Sequence, residues 1–245
     1  LAGHVLPAAQ ARQPVGLEPG RDGVHRRRDA QDGKPDHGPG RQPGEGDRRD
    51  RQGRDREHPR RRHELIFHAK IGTGTSHSFV SRPGVFGYGE LDKGARAMLE
   101  VAEILPGDRL LDLGCGTGTN GILAYDRCQP GGQVTFVDSN VRAIALAELN
   151  AKANGLVDFR TVATADLAGL AEASFELILA NPPYYANSWI AQMFIERSKV
   201  LLKPGGRFYL VTRMLEQVAP IMAEVFPEAT WEERRGYHVL KGENK

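Results

Sequence analysis

The sequence predicts an α/β fold, in which a mainly parallel sheet of about seven strands carries helices on both faces. Three observations support this prediction. Short apolar strands alternate with helical segments from Arg109 to Phe226, a glycine-rich turn follows the first of these strands, and the chain ends in a hairpin pattern around Arg235-Gly236. Repeated strand–helix units joined by right-handed crossovers produce a doubly wound parallel sheet.

A short β-hairpin and one helix precede the alternation. The segments Leu65–Ile71 and Ser76–Ser81 flank a Gly-Thr-Gly-Thr turn, which is typical of a hairpin. Apolar residues then recur at helical spacing over Leu91–Leu105, and Pro106-Gly107 ends that helix.

The alternation itself predicts a Rossmann-like sheet with an antiparallel hairpin at its C-terminal end. Strands are predicted at Arg109–Leu113, Gln133–Val137, Asp158–Val162, Phe175–Ala180, Gly206–Val211, Thr230–Arg234 and Tyr237–Lys241. Helices are predicted at Thr119–Cys128, Asn140–Asn154, Trp189–Leu202 and Met214–Phe226. Sheets of this kind bind ligands at the carboxyl ends of their central strands.

Residues 1–63 differ in composition from the rest of the chain. They hold 14 Arg and one Lys against 10 acidic residues and lack Ile, Met, Cys, Phe, Tyr and Trp, whereas residues 64–245 carry a net charge of about −3. Such a segment cannot bury enough apolar surface to fold, so we expect a disordered tail. Three interpretations stay open: a tail that attracts nucleic acid, a solvated tail without function, and the translation of a GC-rich gene out of frame.

Composition also restricts the classes of function. The two cysteines, Cys115 and Cys128, are too few for a disulfide framework and lack metal-ligand spacing, and the histidines outside the tail form no cluster, so no metal is expected. The absence of a long apolar run or a signal peptide predicts a cytoplasmic protein that does not enter a membrane.

The glycine-rich turn predicts a binding site for S-adenosylmethionine. Asp112 stands two residues before Gly114, Gly116 and Gly118, which let the backbone approach a ligand closely. A carboxylate there would repel a pyrophosphate, but it suits the cationic amino end of S-adenosylmethionine. The alternative is a tight strand-to-helix turn that binds nothing.

Two further acids follow the next strands. Asp138 ends a strand twenty residues after Gly118 and is predicted to accept hydrogen bonds from both ribose hydroxyls, with capping of the following helix as the alternative. Asp166 follows the third strand and is predicted to accept from the adenine amino group, with a simple loop or cap position as the alternative.

The sequence Asn181-Pro182-Pro183-Tyr184 closes a buried strand and predicts a clamp for a planar amine. The side-chain oxygen of Asn181 and the carbonyl of Pro182 can each accept one hydrogen from an exocyclic NH2 group. The prolines make the turn rigid, and Tyr184 offers an aromatic face for stacking. The motif therefore favours methylation of a planar nitrogen; the alternative is a polar turn after a core strand. Tyr185, Trp189 and Arg197 are further candidates for the substrate mouth, with packing on a surface helix as the alternative.

These motifs together resemble the small methyltransferase domain, a class I family, and the bacterial ribosomal RNA guanine-N2 methyltransferases within it. The matching residues, in chain order, are Ser81-Arg82-Pro83-Gly84-Val85-Phe86, Leu91-Asp92-Lys93-Gly94, the glycine turn, Asp138, Asn181-Pro182-Pro183-Tyr184 and Gly236-Tyr237-His238-Val239. The resemblance covers about residues 79–241 and implies ribosomal RNA, or a small ribosomal particle, as the substrate.

The resemblance also leaves alternatives open. Members of the family often have Phe after the two prolines, whereas Tyr184 is shared with enzymes that methylate adenine N6 or protein glutamine. The family carries a preceding noncatalytic domain, whose place is taken here by residues 1–63. A protein glutamine or adenine-N6 methyltransferase, and a noncatalytic module that binds cofactor or RNA, are the competing interpretations.

Overall fold

The structure of the chain, a computed structural model, describes residues 4–5, 63–183 and 188–245. Within these residues the main sheet has eight strands in the order β1-β9-β10-β8-β7-β4-β5-β6, and β2 pairs with β3 in a separate antiparallel hairpin. The strands β4 to β8 run parallel, whereas β10 is antiparallel to both β8 and β9. The predicted doubly wound sheet with its antiparallel C-terminal hairpin is confirmed.

The elements have the following bounds. The strands are β1 His4–Val5, β2 Leu65–Ala69, β3 His77–Ser81, β4 Arg109–Leu113, β5 Gln133–Asp138, β6 Phe159–Ala163, β7 Phe175–Ala180, β8 Leu202–Thr212, β9 Thr230–Arg234 and β10 Tyr237–Glu243. The helices are α1 Lys93–Val101, α2 Thr119–Cys128, α3 Val141–Ala153, α4 Trp189–Leu201 and α5 Leu215–Val225.

The central strands are buried on both faces. In β7, Leu177 and Leu179 belong to a cluster with residues of α1 and α2, whereas Ile178 and Ala180 belong to a cluster with residues of α4 and α5. Successive side chains of a strand point to opposite faces, so each strand contributes to both layers. Strand order reverses at β4, which has β5 on one side and β7 on the other. The crevice beyond the carboxyl ends of β4 and β7 is therefore where a ligand site is expected.

Most predicted elements differ from the observed ones by one or two residues at an end, and two elements differ by more. The first helix begins at Lys93 rather than Leu91, because the Asp92 side chain accepts from the Ala95 N–H and caps it, and it ends at Val101, because Ala102 is extended. Strand β8 begins at Leu202 rather than Gly206, since Leu202 already pairs with Phe175 of β7. Both differences arise from contacts that local periodicity does not report.

A two-residue strand near the N-terminus extends the sheet beyond the seven predicted strands. His4 and Val5 pair with Trp231 and Thr230 at the edge of β9. The side chain of Val5 is 72% exposed, so this strand adds main-chain hydrogen bonds but little apolar burial. The other residues between 1 and 62 lie outside the described residues, and the predicted disorder of this segment stays a prediction.

We expect a chain that lacks residues 1–62 to keep its thermal midpoint within about 4 °C, a shift that corresponds to roughly 1 kcal/mol for a domain of this size. The reason is that the segment offers few large apolar side chains and that β1 buries little. Differential scanning calorimetry of the full and shortened chains measures the shift. A larger loss would mean that the segment contributes to the core.

Candidate active site

The glycine-rich turn after β4 is fastened to the end of the neighbouring strand. The backbone N–H groups of Gly114 and Cys115 both donate to the Val137 carbonyl, at 2.8 and 2.9 Å. Gly116 has a φ of +54°, and a Cβ atom there would lie 3.2 Å from the carbonyl oxygen of Phe86. Glycine is required at this position both for its backbone angle and for the close approach of the Phe86 backbone.

Asp138 ends β5 and lines the cavity beside the turn. One carboxylate oxygen accepts from the Gly116 N–H at 3.0 Å and the other from the Asn140 N–H at 2.8 Å. A carboxylate has about four acceptor positions, so this group can accept further hydrogen bonds from a ligand. The helix-capping alternative for Asp138 is wrong, because the side chain of Asn140 caps α3 by accepting from the Arg142 N–H.

Asp112 lies beneath the turn, fully buried. Its carboxylate accepts from the Gly121 N–H at 2.8 Å and from the Asn120 side chain at 3.3 Å, so it holds the first turn of α2. The described residues that line the cavity do not include Asp112. Burial in this dry environment raises the pKa of Asp112 to about 7, against the lowering effect of the Gly121 and Asn120 hydrogen bonds. Its predicted contact with the amino end of a cofactor stays a prediction.

Asp112→Asn should change how stability depends on pH. Because the folded-state pKa of Asp112 is raised, the unfolded chain ionises first, and the wild-type protein loses stability as the pH rises from about 4 to about 7. Asparagine does not titrate, so the stability of the variant relative to wild type should increase over that range, by about 1.4 kcal/mol for each unit of pKa shift. Urea unfolding at pH 4, 5.5 and 7.5 measures the difference. A constant difference would mean that Asp112 does not titrate abnormally.

Asp166 is exposed and lies beside the cavity rather than in its lining. Its carboxylate accepts from the Ala168 N–H at 3.0 Å and from the Thr164 hydroxyl at 2.8 Å, and these bonds, the Ala168 bond first, lower the pKa of Asp166. Thr164, Ala165 and Leu167, which flank it, do line the cavity. The predicted contact of Asp166 with an adenine amino group stays a prediction. Thr164, Ala165 and Leu167 are further candidates for contacting the adenine.

Asn181 lies at the mouth of the crevice, directly after β7, and is 6% exposed. Its side-chain amide donates from Nδ2 to the Asp92 carboxylate at 2.8 Å. Pro182 is buried, and Pro183 lines the same cavity as Asn181. Tyr184 lies outside the described residues, so its predicted stacking role stays a prediction.

The cavity has a volume of about 380 Å³ and opens at the carboxyl ends of the central strands. It brings together Gly114, Asp138 and Asn181, three of the residues predicted from the sequence. Gly116 and Gly118 shape the turn beneath it. The described lining residues are Gly84, Phe86, Leu113, Gly114, Val137, Asp138, Ser139, Asn140, Ala143, Thr164, Ala165, Leu167, Asn181, Pro183, Trp189, Ile190, Met193 and Phe194.

Sequence reasoning assigned no role to Phe86, Met193 or Phe194 in this lining. Phe86 is 50% exposed, and Trp189, a predicted mouth residue that does line the cavity, is 60% exposed. Exposed aromatic rings at the edge of a concave site can stack against a bound ligand. The available signal was an aromatic residue, Phe86, in a glycine-rich loop with Gly84 and Gly87 beside it.

No helix among the described residues has the length and apolar character needed to cross a membrane. No group of three or more His, Cys, Asp or Glu side chains in this part of the chain converges as a metal site.

Comparison with known proteins gives relatives that share this architecture. Ribosomal RNA small subunit methyltransferase C of Pseudomonas putida strain F1 is 35% identical over 147 residues, which are 58% of this chain and 43% of that protein. The protein of the same name from Chromohalobacter salexigens is 35% identical over 158 residues, 61% of this chain and 46% of that protein. The chain therefore matches less than half the length of these curated relatives.

Solved structures agree with the sequence comparison. The T. thermophilus 16S rRNA N2 methyltransferase, solved in complex with AdoMet and guanosine, has a TM-score of 0.66 and 27% identity, and covers 74% of this chain and 50% of its own. TrmN from Thermus thermophilus has a TM-score of 0.52 at 27% identity, over 62% of this chain and 48% of its own. The profile of the methyltransferase small domain matches residues 76–241. The chain therefore belongs to the methyltransferase small domain family.

Proposed function

We propose that this chain transfers a methyl group from S-adenosylmethionine to the exocyclic N2 of guanine in ribosomal RNA. One observation carries the proposal: Asn181 and Pro183 line the same cavity as Gly114 of the glycine-rich turn and Asp138. An amine acceptor and a cofactor site therefore share one concave surface. The curated relatives are ribosomal RNA methyltransferases, and the T. thermophilus relative holds AdoMet and guanosine together.

The residues of the cavity fit S-adenosylmethionine. Asp138 has acceptor capacity for ribose hydroxyls at the end of β5, as in dinucleotide-binding folds. Gly114 lines the cavity with a φ of +74°, and a Cβ atom there would lie 3.2 Å from the ring of Phe194, so both the backbone angle and the close approach of that ring favour glycine. Leu167, Met193 and Ile190 supply apolar walls of the kind that surround an adenine ring.

When bound, the cofactor supplies an electrophilic methyl group on a sulfonium, which is an excellent leaving group. The chain's own task is to hold and orient the amine. An NH2 group conjugated to a ring is a weak nucleophile because its lone pair is delocalised. Asn181 Oδ1 and the Pro182 carbonyl accept its two hydrogens, which favours tetrahedral nitrogen and stabilises the positive charge as the N–C bond forms. One N–H proton then passes to water, which leaves the neutral methylated amine.

The preferred form of the RNA follows from the burial of Asn181, which is 6% exposed. A base within a helix would have to be turned out of its stack at a cost of a few kcal/mol, so a loop or partly unfolded ribosomal RNA is the preferred target. The exposed rings of Phe86 and Trp189 stand where bases next to the target could stack. Such a substrate places the protein in the cytoplasm.

Transfer of radiolabelled methyl groups tests the proposal. The full chain is incubated with labelled S-adenosylmethionine and, in parallel, with 16S rRNA, small ribosomal subunits, an adenine-rich RNA and a peptide release factor. Label in guanine N2, identified after nuclease digestion, supports the proposal. Label only in the release factor or in adenine would support one of the competing amine substrates. The net charge of about −3 on residues 64–245 favours the protein substrate over RNA. Cofactor binding without transfer to any acceptor would identify a noncatalytic module.

A further inference from the structure

Asp92 contacts Asn181 although the two residues are 89 positions apart in the chain. We infer that Asp92 is a positioning residue for the amine clamp, an inference that rests on the proposed function of Asn181. The Asp92 carboxylate oxygen Oδ1 accepts from Asn181 Nδ2 at 2.8 Å and from the backbone N–H of Ala95 at 2.9 Å. A single oxygen thus joins the start of α1 to the end of β7.

The chemistry of the pair determines which way the Asn181 amide faces. An ionised carboxylate can only accept hydrogen bonds, so the amide must present its NH2 end to Asp92. Its acceptor end, Oδ1, is then turned away from Asp92. An amide oxygen has two lone pairs and can accept from an amine in the cavity in addition to any other partner. A flipped amide would place its oxygen against the Asp92 carboxylate, and the two oxygens would repel each other. It would also turn its NH2 group towards the substrate amine, whose two hydrogens it would repel.

Asp92 is itself held firmly in place. It is the N-cap of α1: its side chain accepts from Ala95 N–H, and its carbonyl accepts from the Arg96 N–H at 2.9 Å. The helix that follows is anchored in the core, with Met98 and Leu99 fully buried. The buried helix α1 therefore holds Asp92 in place, and Asp92 in turn holds the side chain of Asn181 at the mouth of the crevice.

This anchoring matters because methyl transfer depends on alignment. The acceptor oxygen must meet the amine at one angle while the nitrogen approaches the methyl carbon, and a misplacement of about 1 Å can lower the rate roughly a hundredfold. The carboxylate also polarises the amide that it accepts from, which strengthens Oδ1 as an acceptor. Asp92 would thus affect turnover without contacting either the substrate or the cofactor.

Two substitutions separate this role from helix capping, because Asn, Ser and Asp cap helices almost equally well. Asp92→Asn keeps an oxygen at the Oδ1 position, so it should preserve both hydrogen bonds and keep kcat within about threefold of wild type. Asp92→Ser caps α1 but is too short to reach Asn181, so kcat should fall roughly tenfold or more. The affinity for S-adenosylhomocysteine should stay close to wild type in both variants, and the thermal midpoint of Asp92→Ser should fall by only a few degrees, because Asn181 Nδ2 loses its partner.

The decisive measurement repeats Asp92→Ser in an Asn181→Ala background. If Asp92 acts through Asn181, the second substitution should change the residual kcat by less than about twofold, because the group that it positions is already gone. An equal loss in both backgrounds would overturn the inference, because Asp92 would then act independently of Asn181. Weakened S-adenosylhomocysteine binding in Asp92→Ser would also overturn it, in favour of a purely structural role.

The outcomes separate this inference from the proposed function. Normal turnover in Asp92→Ser together with a severe loss in Asn181→Ala would overturn the positioning role and leave the amine clamp intact. Normal turnover in Asn181→Ala would instead overturn the clamp, and the positioning role with it. A loss in Asp92→Ser that Asp92→Asn largely restores, and that disappears in the Asn181→Ala background, supports both.

Discussion

Asn181→Ala should lower kcat by about two orders of magnitude while leaving the affinity for S-adenosylmethionine unchanged. In the proposed clamp the amide meets the substrate amine rather than the cofactor, and its interaction strengthens as the nitrogen gains positive charge. An interaction that is stronger in the transition state than in the ground state appears in kcat rather than in substrate binding. Single-turnover methyl transfer, with the cofactor dissociation constant from calorimetry, measures both quantities.

Asn140→Ala is the matched control, because it makes the same chemical change at another residue of the cavity lining. Asn140 caps α3 and donates to the Gly84 carbonyl at 3.1 Å, so its loss should cost about 1 kcal/mol of stability. At saturating cofactor its kcat should stay within about threefold of wild type. Near-normal turnover of Asn181→Ala on every acceptor would show that the motif is only a polar turn after a core strand.

Elements bounded by strong local signals could be predicted from the sequence to the residue. Strand β4 ends at the glycine turn and β7 ends at Asn181-Pro182, so Arg109–Leu113 and Phe175–Ala180 were correct at both ends. The hairpin strand Thr230–Arg234 is bounded by Arg235-Gly236 in the same way, and both residues there have positive φ. Glycine allows backbone angles that other residues avoid, and proline restricts φ, so the effects of both can be predicted without tertiary information.

The candidate site was less accessible to sequence reasoning, because several of its contacts are nonlocal. The hydrogen bond between Asp92 and Asn181 joins α1 to β7, and no periodicity reports it. Asp112 illustrates a different difficulty. Side chains alternate along β4, and Leu110, on the same face as Asp112, belongs to the cluster with α1 and α2. In the structure α2 covers that face, and the Asp112 carboxylate accepts from the Gly121 N–H, a contact that the spacing to the glycines does not reveal; its predicted contact with a cofactor stays a prediction.

Sheet register explains why Asp138 lines the cavity whereas Asp166 does not. Asp138 ends a strand adjacent to β4, and the sheet brings it to the glycine turn, where it accepts from the Gly116 N–H. Asp166 lies three residues beyond β6, in an exposed loop whose course depends on its own turn. A position at the end of a central strand is fixed by sheet register, whereas a loop position is not.

Asp138→Ala should weaken binding of S-adenosylmethionine by about tenfold or more, since charge-assisted hydrogen bonds to the ribose contribute roughly 1.5–3 kcal/mol each. Asp158→Ala, which removes the same charge from an exposed residue at the start of β6, is the matched control and should leave binding unchanged. Isothermal titration calorimetry measures both dissociation constants. An unchanged constant for Asp138→Ala would contradict the ribose assignment.

A deoxy ligand separates lost ribose contacts from a loosened turn, because Asp138 also accepts from the backbone N–H groups of Gly116 and Asn140. If the carboxylate holds the ribose, wild type should bind the 2′-deoxy form of S-adenosylhomocysteine several-fold more weakly than the parent, whereas Asp138→Ala should bind the two almost equally. That coupling arises only when the missing hydroxyl and the missing carboxylate contact one another. If Asp138→Ala discriminates between the two ligands as strongly as wild type does, the residue acts only by shaping the glycine turn.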